Sequence, residues 1–526
     1  MVALRVAPIL FLLLLAGTPA GAASPALPDA ILFHGGAQEV GGSCIEVRLA
    51  GQRFLVDCGS DLEGLLDSEE SNPCATAQVE ERFPFPPEQI RAFFLTHAHA
   101  DHLGRLLPLY RQGFRGTVHA TAATTAVARI ALYNAVRFWG GVREWRWSSR
   151  RGSVTAHWRP CPGAQKIRQP RTARTTLCQL EKRLRGEGHA AVYPCRSCAE
   201  LEREELLALF RPHGMGESFH PWPEVEARFY PTGHLPGSAA VVLTAQGTSL
   251  LFSGDVGNDV ELLYTRPPVF PRAHWVVVEG TYGGTRRPRD YPAQLDRFWR
   301  DLRAALEAGK VVWIPALVLD RTQKVLAVVQ RGVREGRLPP GVPVYLPSAT
   351  ARAACRLWEE MLTGRYGFSG LRPDLAGRAL FPPVREELPP PKTLRGPAIL
   401  VTAAGMLHVG VSGELLPHLL PRTDVFLALV SYQSPATPGG QISAGRPEIR
   451  WQGATIPVRL SWRKYDFFSG HADAADLLRV LAGNRDSTIL LNHGEAETLR
   501  ALAHTLTQEG FTRVLLAAPG QPYLIR

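Results

Sequence analysis

The chain has 526 residues, 45% apolar and 20% charged, enough for two to four domains with real cores and unlike a disordered or fibrous protein. Its 59 Lys and Arg against 48 Asp and Glu give a formal charge of +11, which suits an anionic partner such as nucleic acid. No run is apolar for the roughly 20 residues that a membrane-spanning helix needs.

In chain order, Arg5, the apolar run from Ile9 to Ala16 and the small residues Ala20-Gly21-Ala22 read as a secretory leader over residues 1–22. Short β-rich runs at Ile31-Leu32-Phe33, Ile45-Glu46-Val47 and Phe54-Leu55-Val56-Asp57, parted by Gly turns, predict a hairpin-built sheet. Another strand is expected at Phe93-Phe94-Leu95-Thr96, and a helix after Thr121. Residues 141–215 change character: 15 Lys and Arg against 7 Asp and Glu leave a net +8, and Cys161, Cys178, Cys195 and Cys198 fall there. This reads as an insertion. The β pattern resumes from Arg228 to Thr232, Ala240 to Thr244, Leu250 to Ser253 and Val276 to Glu279. Strand-then-helix units then alternate from Val311 to Thr402, the mark of a parallel sheet with covering helices. The last 70 or so residues return to strands at Pro457 to Leu460, Ile489 to Asn492 and Arg513 to Leu516.

The chemistry concentrates in His97-Ala98-His99-Ala100-Asp101-His102, four ligand-type side chains in six residues after a strand. Imidazole and carboxylate suit Zn, Mn or Fe, and a loop at a strand end can aim them at two ions. His234, Asp255 and His493 each sit where a β run meets a Gly turn.

Together these runs resemble the metallo-β-lactamase superfamily, and specifically its β-CASP branch of RNA-processing nucleases. Asp57, the His97–His102 run, His234 and Asp255 match the superfamily's four motifs in order, while Glu279, His471 and His493 match the branch's motifs A, B and C. The resemblance implies an α/β chain with a four-layer αβ/βα metallo-β-lactamase fold and an inserted α/β β-CASP domain. The frame would run over residues 30–280, with the basic insertion at 141–222, and resume at 456–526, with the β-CASP domain at 281–455. Two metal ions, usually zinc, are implied. His97, His99 and His234 would hold one, Asp101, His102 and His493 the other, and Asp255 would bridge them. Asp57 would fix the ligand loop and polarise a bound water, and His471, oriented by Glu279, would be the general acid. Within the branch a His at motif C points to single-stranded RNA, and Arg321 becomes a candidate substrate contact. One departure stands out: relatives commonly carry Ser before Gly405-Met406, and this chain has Ala403-Ala404.

The four grouped cysteines fit either a further structural zinc or two disulfides. The reading implied is a ribonuclease; the alternatives are an exported hydrolase of small esters, lactones or thioesters on the same frame, and an inactive scaffold, against which every ligand position is intact. The leader implies a periplasmic or extracellular protein, and without it a cytoplasmic one. Cell fractionation with N-terminal sequencing is expected to find an exported chain starting just after Ala22. An uncleaved cytoplasmic N-terminus would end the export reading.

Overall fold

The structure is a computed structural model that describes residues 28–60, 83–139, 144–145, 191–192, 203–259, 262–285, 290–375 and 377–525. The leader and the four grouped cysteines lie outside the described residues.

Alternation of apolar side chains builds strands Ala30–Gly35, Cys44–Leu49 and Gln52–Cys58 as an antiparallel meander. Strands Ile90–Phe94, Thr117–Thr121 and Phe210–His213 add to it in parallel, and Tyr523–Leu524 closes the opposite edge, giving seven strands. A second seven-stranded sheet runs in the order Arg513–Leu516, Thr488–Asn492, Trp275–Glu279, Thr248–Phe252, Ala239–Ala245, Val225–Pro231 and Ser218–Trp222. The two sheets bury their facing sides against each other. Phe33, Phe54, Phe94, Phe229 and Phe252 are all fully buried between them, each contributing about 1.5–3 kcal/mol by leaving water. Helix Ala122–Trp139 covers the outer face of the first sheet, and helices Ala474–Val480 and Ala496–Gln508 cover that of the second. The result is the expected four-layer αβ/βα frame.

A third sheet of six strands, all parallel, belongs to the inserted domain. Its order is Val384–Arg385, Val344–Tyr345, Ala398–Ala403, Val311–Ala316, Val425–Leu429 and Ser461–Lys464. Helices Tyr291–Glu307, Arg321–Arg334 and Ala349–Leu362 pack on one face and Gly410–Leu419 on the other. Their apolar residues recur at helical spacing (Leu295, Phe298, Leu302, Leu306), so each helix has one stripe to bury.

Two expectations need correction. The insertion does not extend to 222, because Phe210–His213 and Ser218–Trp222 are edge strands of the two core sheets. Just after the expected domain change at 455/456, Ser461–Lys464 still pairs in parallel with Val425–Leu429 and completes the third sheet. Finally, the strand expected from Pro457 to Leu460 is the connection between strands Ala454–Pro457 and Ser461–Lys464. For Phe210–His213 and Ser461–Lys464 the deciding partner lies elsewhere in the chain, beyond reach of a local pattern, whereas Ser218–Trp222 and Ala454–Pro457 pair in local hairpins.

Cys44 and Cys58 are buried thiols with their sulfurs 3.4 Å apart. His119 is less expected. Its Nδ1 lies 2.9 Å from His213 Nε2, its Nε2 is 2.8 Å from Thr117 Oγ1, and its ring stacks on Phe94. Burial, with help from His213, pushes it from an ordinary 6.5 to about 3. The folded state thus binds the proton more weakly than the unfolded chain, so this contribution is complete above about pH 6.5 and is lost as pH falls toward 3. Denaturant titrations across that window should show a shallower acid slope for His119→Gln than for wild type. Identical slopes would mean the ring is not held neutral.

Candidate metal centre

Six strand ends meet at one edge of the sandwich. Gln52–Cys58 and Ile90–Phe94 run parallel in the first sheet. In the second, Thr248–Phe252, Trp275–Glu279 and Thr488–Asn492 run parallel, and two antiparallel steps bring Val225–Pro231 back into the same direction. Just at or beyond these carboxyl ends stand Asp57, the His97–His102 run, His234, Asp255, Glu279 and His493. The loops pack so tightly that a Cβ on Gly59 would lie 1.6 Å from the Asp101 carbonyl oxygen. Asp57 and His493 both adopt left-handed backbone, at φ 57 and φ 49; such strain gathers at functional sites.

Asp255 occupies the middle of the cluster. Its Oδ2 lies 3.4 Å from both His97 Nε2 and His234 Nε2, while Oδ1 lies 3.1 Å from His102 Nε2 and 3.6 Å from His493 Nε2. His99 Nδ1 is 3.2 Å from His234 Nε2, and Asp101 Oδ2 is 3.7 Å from His493 Nε2. The two Asp255 oxygens therefore face two groups of imidazoles. Ligand atoms of His97, His99, His234 and Asp255 come within 4.8 Å of one another, as do those of His102, Asp255 and His493. All seven predicted ligands are brought together.

Among the described residues, Nε2 of His97, His99 and His493 are buried without a hydrogen-bond partner, while His102 Nε2 has only Asp255 Oδ1 at 3.1 Å. Each unpaired atom costs about 1–3 kcal/mol if nothing satisfies it. Three around one space are costly in a stable core, and nitrogen with carboxylate oxygen is the donor set of a transition-metal site. The residues fit a metal.

Protonation agrees for most of them. Burial, then the charge of His97, holds His99 down at about 3. Burial and His471 keep His234 well below the usual imidazole range, and burial lowers His493. Burial alone would raise Asp255 and Asp101, but nearby imidazoles, His102 first, hold both below the usual carboxylate range. Ionised carboxylates and neutral imidazoles are the forms that ligate. His102 differs: burial opposes its charge, yet Asp255 and Asp57 raise it well above 6.5, so without metal it carries a proton that a metal would displace.

Asp57 stands behind the ligands, as expected. Its carboxylate accepts the Thr96 N–H at 2.9 Å and the Thr96 hydroxyl at 2.7 Å, and lies 2.7 Å from His102 Nδ1. It thereby fixes the ring that presents Nε2 to Asp255. Glu279 accepts backbone N–H groups from Val256 and Thr281 and holds His471 Nδ1 at 3.2 Å and 3.3 Å. The His471 loop is pinned in turn, since Ala472 N–H donates to Val256 and Asn258 Nδ2 to the Ser469 carbonyl.

Arg321 lies at the carboxyl edge of the third sheet, where its Nη1 donates to the Val430 carbonyl. The sequence reading missed its neighbours. Lys324 is completely buried and pairs with Asp320 at 2.6 Å; Asp320 also accepts from the Tyr264 hydroxyl, which accepts from Trp358 Nε1. A Cβ on Gly470 would lie 3.1 Å from Lys324 Nζ and 3.2 Å from His234 Nδ1, so this ion pair joins the inserted domain to the metal loops. Losing either partner strands a buried charge, at about 3–5 kcal/mol. The Asp-x3-Lys spacing before a helix was the available signal. Ser238, whose hydroxyl accepts the backbone N–H groups of His234 and Leu235, gave none.

Because both groups of imidazoles share Asp255, Asp255→Ala should cut the metal content of purified protein about tenfold or more, measured by elemental analysis, whereas Asp486→Ala, an exposed partner of Arg272, should retain it. Full metal occupancy in Asp255→Ala would show that the carboxylate is not a ligand.

Comparison with known proteins follows the same frame. Residues 37–165 match the metallo-beta-lactamase superfamily, residues 322–442 the Beta-Casp domain, and residues 455–516 the Zn-dependent metallo-hydrolase RNA specificity domain. Ribonuclease TTHA0252 of Thermus thermophilus is 31% identical over 491 residues, covering 91% of this chain and 96% of that protein. RNase aCSPSF2 of Saccharolobus solfataricus is 25% identical, covering 93% of this chain and 83% of its own length. A crystal structure of a protein of unknown function from Enterococcus faecalis V583 shares the fold alone, with a TM-score of 0.50 at 13% identity over 95% of this chain and 100% of that one. Similarity of this extent to a ribonuclease, with the Beta-Casp match falling between two matches to the hydrolase frame, makes the chain a member of the metallo-β-lactamase superfamily, in its β-CASP branch of RNA-processing nucleases.

Proposed function

We propose that the protein is a metal-dependent phosphodiesterase that cleaves single-stranded RNA at a centre of two zinc ions. The observation that carries this reading is the Glu279–His471 pair set beside the ligand cluster, with His471 Nδ1 3.7 Å from Asp255 Oδ2. Ester hydrolysis as such needs metals and water; a positioned acid suits a poor alkoxide leaving group.

His97, His99 and His234 would hold one ion and Asp101, His102 and His493 the other, with one oxygen of Asp255 toward each. Bound metal supplies an activated water near neutral pH and offsets the charge that grows on the phosphoryl oxygens. The rest falls to the chain's own side chains. Both Glu279 oxygens already accept backbone N–H groups, so the ring proton facing them sits on His471 Nδ1 and the exchangeable one on Nε2. Nε2 then gives its proton to the departing ribose oxygen. Backbone N–H groups on Glu279 keep the pair from swinging away. Asp57 and Thr96 hold the ligand loop in register while charge moves nearby.

RNA is supported by the basic balance of +11, the match of residues 455–516 to an RNA specificity domain and the similarity to ribonucleases. The same findings weigh against the small-ester hydrolase.

For His471→Ala, RNA cleavage followed on labelled single strands should fall by about 10²–10⁴-fold while metal content stays at the wild-type level. Chelation should abolish cleavage and zinc restore it. Cleavage at the wild-type rate by His471→Ala would remove the proposed acid, and a metal-loaded protein that splits no phosphodiester would remove the whole reading.

A further inference from the structure

A cavity of about 300 Å³ lies on the far side of the His234 loop from the metal cluster. Gly233 and Leu235, the neighbours of His234, form one wall. Thr121 and the first turn of helix Ala122–Trp139 form a second, and the segment from Tyr366 to Gly370 of the inserted domain a third. A single loop therefore separates this space from the ligands.

Its walls combine two chemistries. Arg266 is exposed at the lining and enters no ion pair or hydrogen bond among the described residues. By contrast Arg365, beside the third wall, is 2.9 Å from Glu360. The N-terminal end of an 18-residue helix adds further positive potential. Tyr366 is 37% exposed and held at φ 64 and ψ 19. For a bulky ring this left-handed backbone is an outlier, and such strain collects at ligand clamps. Behind it Phe368 packs edge-on against Tyr264, with centroids 6.3 Å apart. Arg365 lies 5.8 Å from the centroid of the Tyr366 ring and covers one of its faces, so a base would meet the other. An available guanidinium and an aromatic ring lining one cavity are the combination that grips a single strand, one group on phosphate and one on the base.

We propose that this cavity is a nucleotide subsite, which takes one nucleotide of the RNA strand next to the scissile phosphate, with Arg266 on its phosphate and Tyr366 against its base. The proposal rests on the RNA-cleavage reading above.

The test uses the metal-loaded full chain and two substrates, a single-stranded RNA oligonucleotide and bis(p-nitrophenyl) phosphate, which is too small to reach the cavity from the metals. In Arg266→Ala the ratio of kcat/KM on RNA to kcat/KM on the small diester should fall about tenfold, through KM. The log–log salt dependence of RNA affinity should become shallower by about one unit, and Arg266→Lys should recover that slope. Tyr366→Ala should lower the same ratio about tenfold with the slope kept. Unchanged ratios in both Ala variants overturn the proposal, as does displacement of RNA by micromolar AMP, which would make the cavity a site for a free nucleotide. A wild-type protein that splits the small diester but not RNA defeats the parent reading instead, and the salt dependence of RNA affinity then still decides the subsite.

Discussion

The carboxylate of Asp255 is the point on which the rest of the site is built. It is buried, it faces imidazoles from three different loops, and the neighbouring rings keep it ionised against the cost of burial. A lone anion in that position would be untenable. It persists because cationic or metal-ready groups surround it, and those groups can surround it only if two sheets end their strands at one edge. The sandwich core, with its five facing phenylalanines, is therefore a requirement of the site as well as of stability.

Support extends outward in layers that differ in kind. Next to the ligands are carboxylates that orient rings: Asp57 behind His102, and Glu279 behind His471. Their own oxygens accept from fixed donors, the Thr96 N–H and hydroxyl for Asp57 and the Val256 and Thr281 N–H groups for Glu279, so each ring has one direction to point. Further out, the Asp320–Lys324 pair links the inserted domain to the loops of His234 and Gly470. Asp320 bears φ 68 and ψ −56, and the Arg321 N–H donates to the Leu319 carbonyl across it, a strained tight turn. A buried lysine and a strained aspartate at one domain contact tie the placement of the inserted domain to the loops of the His/Asp cluster.

Much of this was legible beforehand. The His97–His102 run announces itself because four ligand types in six residues have few other uses, and the Gly turns at His234 and Asp255 mark strand ends. Helices of the inserted domain were visible from the spacing of residues such as Leu295, Phe298 and Leu302. Less legible were the edge strands: Phe210–His213 and Ser461–Lys464 are short, partly exposed and polar in places, and pair only because a distant strand offers an open edge. Thr96, Ser238 and Lys324 were hidden for a related reason. Hydroxyl and ammonium groups look like surface residues until the fold closes over them.

Residue chemistry and local order thus determined which side chains are candidate ligands, that the loops holding them follow strands, and which frame the chain adopts. The resemblance already set Asp255 between the two groups and Glu279 behind His471; the distances that realise these contacts, the latter across 192 residues, and the cavity behind the His234 loop were decided by tertiary structure. The physical reason is range. A side chain's donor set and the period of a strand are written within a few residues, whereas distances of 3 to 4 Å between remote loops depend on how two sheets stack and where their strands stop.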